Sequence, residues 1–220
     1  MRGNIGYVIE EGIVKGKGFI VCPCGTGEYA ALSKDEHKKM VETAADVAGD
    51  KLPVVAEAAS CYYKEAIELA KNAEEAGAKC VMILIILLLN KPKDDNQMVS
   101  DNSHHGIQPM VNLGTHFTPK TMNELTKIDN VISLKYGGEN LRDYVKALKL
   151  YSKRLTFIDN SLAYTAAIGH MHGAAGYITG PEYFWSEFEV KYWSLLEEGK
   201  YRDRLMVCEA DPILELFLPW

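Results

Sequence analysis

Residues Pro53–Leu89 read PVVAEAASCYYKEAIELAKNAEEAGAKCVMILIILLL. Two apolar runs, Pro53 to Ala56 and Cys80 to Leu89, flank a segment in which Ile67, Leu69, Ala70 and Ala73 line the inner side of a helix from about Tyr63 to Ala76. Gly77 follows, in the position where a glycine closes a helix. A strand, a helix and a second, near-continuously apolar strand form the unit of a parallel sheet, because only strands covered on both faces keep polar residues out of such runs. The second run is about half of the ~20 apolar residues that a membrane-spanning helix needs, so it reads as a buried strand with its flanks.

The alternation extends in both directions. Upstream, a helix remnant from Tyr7 to Val14 leads to a strand at Gly18 to Cys22. A helix then opens at Ser33, whose spacing to Glu36 is a capping box, and runs to about Val47. Downstream, the polar stretch Lys91 to Gly106 leads to a short strand near Met110 and Val111 and to a helix with Thr118 as N-cap and Pro119 at its first position. A strand ending at Lys135, a helix over Leu141 to Tyr151, a strand at Leu155 to Ile158, a helix from about Ser161 to His170 and a strand at Ala174 to Thr179 follow. Glu182 to Gly199 and Arg202 to Leu216 have helical character. This alternation predicts an α/β fold, a closed (β/α)8 barrel in preference to an open doubly wound sheet. Residues 1–180 are expected to form the barrel and 181–220 C-terminal helices packing on it.

Composition narrows the function classes. A net charge of −6 and the lack of a Lys/Arg-rich block argue against nucleic acid as a partner. The N-terminus shows no signal-peptide pattern and no run is long enough to span a membrane, so a cytoplasmic protein without a membrane partner is expected. The odd set of five cysteines, Cys22, Cys24, Cys61, Cys80 and Cys208, suits a reducing compartment and retained thiols. Cys22 and Cys24 form a CxC without the second pair or histidine that a zinc site needs. His104 and His105 sit in a polar stretch and read as a solvated loop, and no metal site is expected.

In a barrel, functional groups gather at the C-terminal ends of the strands. Lysine is depleted in strands and costly to bury, yet Lys135 ends the run Val131-Ile132-Ser133-Leu134 and precedes Tyr136-Gly137-Gly138. Read locally, it is either an amine delivered into a pocket or a strand-end lysine snorkelling to solvent. The barrel rule favours the pocket and brings in the turn Cys24-Gly25-Thr26-Gly27-Glu28, whose backbone N–H groups suit an anion such as a carboxylate.

Gly25-Thr26-Gly27-Glu28-Tyr29 followed by Leu32-Ser33 and Glu36-His37, then Pro53-Val54-Val55-Ala56, Glu65-Ala66-Ile67 and Glu75-Ala76-Gly77-Ala78, resembles the dihydrodipicolinate synthase and N-acetylneuraminate lyase family. Thr118-Pro119, Asn130-Val131-Ile132 with Leu134-Lys135, and Gly176-Tyr177-Ile178-Thr179 fall in the family's order. The resemblance implies a class I aldolase-type mechanism: Lys135 as the nucleophile that condenses with a 2-keto acid, Gly25 and Thr26 holding its carboxylate, and Ile178 lining the pocket near the imine. The implied substrate is pyruvate or a 2-keto-3-deoxy sugar acid. No cofactor is implied. The implied assembly is a homo-oligomer, a tetramer or dimer.

Departures from the pattern are specific. Leu87, Leu88 and Leu89 stand where the family has a tyrosine before its Lys-Pro turn, here Lys91-Pro92. The family's proton-relay tyrosine falls near Ile107, and Gln108 to Leu113 contains no tyrosine. Tyr62, Tyr63 and Tyr136 are the candidate substitutes. Glu57 replaces a glycine after the Pro-Val-Val-Ala strand, placing a carboxylate near the barrel mouth. The opening strand and most of the C-terminal helical extension are expected to be lacking, giving an incomplete barrel. The alternative to a working enzyme is therefore a catalytically impaired relative, kept as a binding or assembly subunit or left as a degraded remnant.

Overall fold

Among the described residues, seven parallel strands pair in the order in which they occur in the chain. The computed structural model describes residues 2–10, 18–60, 62–85, 105–109, 118–136, 140–160, 162–179 and 182–203. Helix α1 (Arg2–Glu10) precedes β1 (Ile20–Val21), α2 (Lys34–Ala48), β2 (Val54–Ala59), α3 (Tyr63–Glu75) and β3 (Cys80–Ile85). Then come β4 (His105–Pro109), α4 (Pro119–Leu125), β5 (Val131–Lys135), α5 (Leu141–Tyr151), β6 (Thr156–Asp159), α6 (Leu162–Met171), β7 (Gly176–Tyr177) and α7 (Glu182–Glu197). Sequential parallel pairing distinguishes a barrel wall from a doubly wound sheet, whose strand order reverses at a switch point.

Side chains alternate across each strand, and burial fixes which face is which. Ala56 and Ala58 of β2, Val81 and Ile83 of β3, Leu134 of β5 and Phe157 of β6 form one core with Leu69 and Ala73 of α3, Met122 and Leu125 of α4, and Tyr144 and Leu148 of α5. These residues face the helices. Val55, Glu57, Met82, Ser133, Lys135 and Ile158 alternate with them and face the barrel interior. A second core joins Ile5 of α1 to Ile20, Ala44, Ala48, Leu52 and Val54.

Local chemistry sets the helix boundaries. The Ser33 side chain accepts the Glu36 N–H and Glu36 returns the contact to the Ser33 N–H at 2.9 Å, completing the capping box before α2. Thr118 caps α4 with Pro119 in its first turn, and the Asn140 side chain accepts from the N–H groups of Arg142 and Asp143. Gly77 adopts φ 97° after α3, a left-handed conformation that a side chain would strain. Arg154 ties the α4–β5 connection from below: its guanidinium donates to the carbonyls of Thr126, Ile128 and Val131 at 3.1, 2.7 and 2.8 Å. The strand that ends in Lys135 is thereby anchored at its start.

Most segments fall within a few residues of the sequence expectation, with two informative displacements. The strand expected near Met110 and Val111 begins earlier, at His105, in register with Val81–Ile85. The apolar pair drew the expectation, whereas backbone pairing takes His105 into the ladder and not into a solvated loop. Helix α1 starts at Arg2 and not near Tyr7, because Ile5 and Val8 supply its buried side. Met110, Val111, Val14, Leu87–Leu89 and 204–220 lie outside the described residues. Helix α7 is broken at Trp185 (φ −148°, ψ 54°).

Candidate active site

Lys135 is the last residue of β5 and points away from its buried neighbour Leu134, into the barrel. Backbone pairing holds it firmly: it stands opposite Ile158, and the Tyr136 N–H donates to the Ile158 carbonyl at 2.9 Å. Burial disfavours the ammonium form and pushes the amine down from its ordinary value, against opposing pulls from Glu57 and Cys24. A lysine held nearer to its free-base form is the kind that attacks carbonyl carbon.

Across the barrel interior stands Glu57, in the middle of β2 and only 2% exposed. Both its backbone groups are fixed. Its N–H donates to the Pro23 carbonyl at 3.3 Å, and its carbonyl accepts from Nε2 of the buried His37, reaching over from α2, at 2.8 Å. Burial pushes the Glu57 carboxyl up from 4.5 to about 7, despite the lowering influence of the Lys135 charge and of a hydrogen bond from the Gly25 N–H.

That N–H belongs to the turn after β1. Residues Gly25–Gly27 form one turn of 3-10 helix, in which the Gly27 N–H donates to Cys24 O at 2.9 Å and the Glu28 N–H to Gly25 O at 3.2 Å. Glu28 closes the turn in the left-handed region at φ 58°. The N–H groups of Gly27 and Glu28 thus serve the turn itself, while that of Gly25 acts on the Glu57 carboxyl. Thr26 occupies the centre of this turn. Ile178 follows β7, donates its N–H to Asp159 O at 2.9 Å and lies on the same face as Gly176, whose missing Cβ would meet Ile158 Cδ1.

The fold therefore gathers Lys135, Glu57 and the Gly25–Gly27 turn on one interior surface. The candidate substitute tyrosines are placed differently. Tyr136 turns outward, its ring 5.9 Å from that of Tyr144 and 6.4 Å from that of Phe157 in the helix layer. Tyr62 is 74% exposed and Tyr63 44% exposed at the start of α3. Ile107, at the position of the expected relay tyrosine, pairs with Ile83 and Leu134. Glu57 was legible as a departure but not as a site residue. A glutamate inside the apolar run VVAEAA carries the same signal that singled out Lys135, a costly charge in a buried strand.

Cys22, pushed up to about 11 by burial, packs with the α1–α2 core and is held in its thiol form. Among the described residues no group of three or more His, Cys, Asp or Glu side chains is arranged to hold a metal. No described helix is long and apolar enough to cross a membrane.

A parallel β/α barrel wall with a half-buried lysine at the C-terminal end of a strand and a buried carboxylate across the interior from it defines a class of protein. Comparison with known proteins shows what the chain resembles. The sequence model of the Dihydrodipicolinate synthetase family matches residues 1–98. A 4-hydroxy-tetrahydrodipicolinate synthase of Brucella abortus biovar 1 is 45% identical over 92 residues, covering 41% of this chain and 29% of that protein. The protein of the same name from Rhodopseudomonas palustris is 32% identical over 186 residues, covering 77% of this chain and 60% of that one. Among solved structures, the wild-type sialic acid aldolase of Ruminococcus gnavus superposes with a TM-score of 0.83 at 22% identity, covering 94% of this chain and 69% of its own. The chain is similar to the dihydrodipicolinate synthetase family, in the family model over its first 98 residues and in the longer relatives beyond them. It spans less than two thirds of the length of these curated relatives.

Proposed function

We propose that the chain is a Schiff-base-forming lyase, synthase or dehydratase acting on pyruvate or a 2-keto-3-deoxy sugar acid, with Lys135 as the nucleophile. One observation carries this reading: a lysine at a strand end, turned into the barrel and held below its ordinary pKa by burial, faces the turn expected to take a carboxylate. In that reading Gly25 and Thr26 hold the keto acid's carboxylate and Ile178 lines the wall beside the imine. The iminium then serves as the electron sink for making or breaking a bond next to it. The relatives' names, synthase and aldolase, support a chemistry of this class. Borohydride reduction in the presence of pyruvate, followed by peptide mass spectrometry, tests the reading. A reduced adduct on Lys135, missing in Lys135→Ala, is expected, and an unmodified Lys135 excludes it.

A second reading, the catalytically impaired relative retained for binding or assembly, is favoured by Tyr136 packing among the helices and by the exposure of Tyr62. Steady turnover of a 2-keto-3-deoxy sugar acid well above the Lys135→Ala control removes it. Under either reading the chain is expected to associate as a homo-oligomer, a dimer or tetramer, and to form an incomplete barrel. The described sheet supports this, since β1 and β7 stand at its two ends, and strand edges favour pairing with other chains. Light scattering of the purified chain tests it, and a strictly monomeric mass counts against it.

A further inference from the structure

We infer that Glu57 is the proton carrier of this site: it takes the proton that the Lys135 ammonium must lose and delivers it to the carbonyl oxygen of the keto acid. The inference rests on the Schiff-base reading of Lys135 and adds the acid–base partner that the tyrosine positions do not provide. Its basis is the placement of Glu57 and the two electrostatic influences on it. Glu57 lies on the interior face of β2, 2% exposed, with its backbone clamped by Pro23 and His37. It faces the Lys135 charge across the interior. Its carboxyl takes the Gly25 N–H, in the turn expected to receive the substrate carboxylate.

Two other buried carboxylates of the described residues, Asp159 and Glu189, lie on the helix side and accept hydroxyl donors. Thr165 Oγ1 reaches Asp159 at 2.9 and 3.0 Å, Thr179 Oγ1 reaches Glu189 at 2.7 Å, and Tyr177 also donates to Glu189. Those contacts hold helices to the sheet. Glu57 feels the charge of an amine instead, from beyond direct contact, so a proton passes between the two through one bridging water.

The proton balance closes without a further reagent. The pair starts as ammonium and carboxylate, and transfer of one proton from Nζ to the Glu57 carboxylate, relayed by one water, gives a neutral amine and a neutral acid. The Nζ lone pair then forms the bond to the keto carbon, the carbonyl π pair moves to oxygen, and oxygen takes the Glu57 proton. The nitrogen returns one of its protons to the Glu57 carboxylate, leaving a neutral carbinolamine. The C–O bond breaks, oxygen leaves as water with the Glu57 proton, and the nitrogen lone pair closes the C=N bond. Ammonium, carboxylate and ketone have become iminium, carboxylate and water, with charge conserved. The first transfer has a second effect. Once Glu57 is neutral its hold on the Gly25 N–H weakens, and that donor becomes available to the carboxylate of the substrate.

The titration belongs to a small group. Lys135 from β5, the Gly25 N–H from the turn after β1 and His37 from α2 face Glu57, with Met82 beside it on β3, and Cys24 acts on Lys135. Cys22 is coupled to Cys24 but packs on the helix side.

The test follows the rate at which borohydride traps pyruvate on Lys135, in the wild type and in Glu57→Gln, through the pH region near 7 where Glu57 titrates. The expected result is a wild-type rate with a titration limb in that region, and a Glu57→Gln rate lower by about 10²–10³-fold with the limb gone. An equal rate with the same limb in Glu57→Gln overturns the role of Glu57 alone. No adduct on Lys135 in the wild type overturns the nucleophile reading itself, so the two failures are separable. Should Glu57→Gln not fold, carbon-13 NMR of labelled Glu57 carboxyl decides. It is expected to titrate near 7 in the wild type and to move upward in Lys135→Met, where the lowering influence of the amine is gone. An unmoved titration contradicts the pairing.

Discussion

Glu57 and Asp159 are both fully buried strand carboxylates, and they sit on opposite faces of the same barrel wall. Asp159, on the helix side of β6, accepts both contacts of the Thr165 hydroxyl from α6 and lies beside the Tyr144 hydroxyl, which burial and the Asp159 charge push well up. Its surroundings are complete without a ligand. Glu57, on the interior side of β2, has a charged amine in view and a backbone N–H from the Gly25–Gly27 turn. The lesson is that burial of a charge does not by itself mark a function. A carboxylate satisfied by hydroxyls of an adjacent helix is a fastener, while one balanced against a titratable amine stores a proton.

The sharpest way to break this contrast is to neutralise each carboxylate in turn and read chemistry. Glu57→Gln is expected to slow trapping of pyruvate on Lys135 by about 10²–10³-fold, and Asp159→Asn to leave that rate within a factor of a few. Stopped trapping with mass spectrometry measures both. Equal losses in the two variants would erase the distinction.

The pH dependence of stability separates the two sites next. A carboxyl whose pKa is raised by folding binds its proton more tightly in the folded than in the unfolded state. Its cost is absent below 4.5 and complete above about 7, so wild-type stability falls as pH rises through that window. The Glu57 contribution is on the order of 3 kcal/mol across the window, from the 1.36 kcal/mol carried by each pKa unit. Glu57→Gln should remove that decline, as followed by urea unfolding at the two ends of the window. A variant curve parallel to the wild type would show that Glu57 does not titrate there.

The packing of the outer carboxylate is tested by Gly169→Ala. A methyl group there would meet the Tyr144 hydroxyl at 2.5 Å and Asp159 Oδ2 at 3.0 Å. Overpacking of this kind costs about 1–3 kcal/mol, read as a lower unfolding midpoint with the trapping rate of the folded protein unchanged. The smallest effect is expected far from both carboxylates. Ser33→Ala removes half of the capping box of α2 and should cost about 1 kcal/mol without touching the pH dependence.

Much of this architecture was readable from local chemistry. The capping box at Ser33, the Thr118-Pro119 start, the apolar run from Cys80 and the extent of α5 all follow from short-range rules, and short-range rules act on neighbours in sequence. Strand β4 was displaced because His105–Pro109 owes its pairing to β3 and β5, not to its own apolar content. At the site, Lys135 was legible as a costly charge at a strand end. The Glu57 carboxylate was visible in the sequence, but its partner was not, since β2 and β5 meet only across the interior. Tyr136 was misleading for the same reason: one residue beyond Lys135, strand alternation sends its ring to the opposite face.

We propose that Lys135 forms an imine and that Glu57 carries its proton. Mapping the borohydride-reduced pyruvate adduct by peptide mass spectrometry, with its rate followed through pH 7 in the wild type, tests it most directly. Modification is expected at Lys135, with a rate that titrates near the Glu57 value of about 7. A lysine left unmodified, or modified at a rate indifferent to pH in that range, contradicts it.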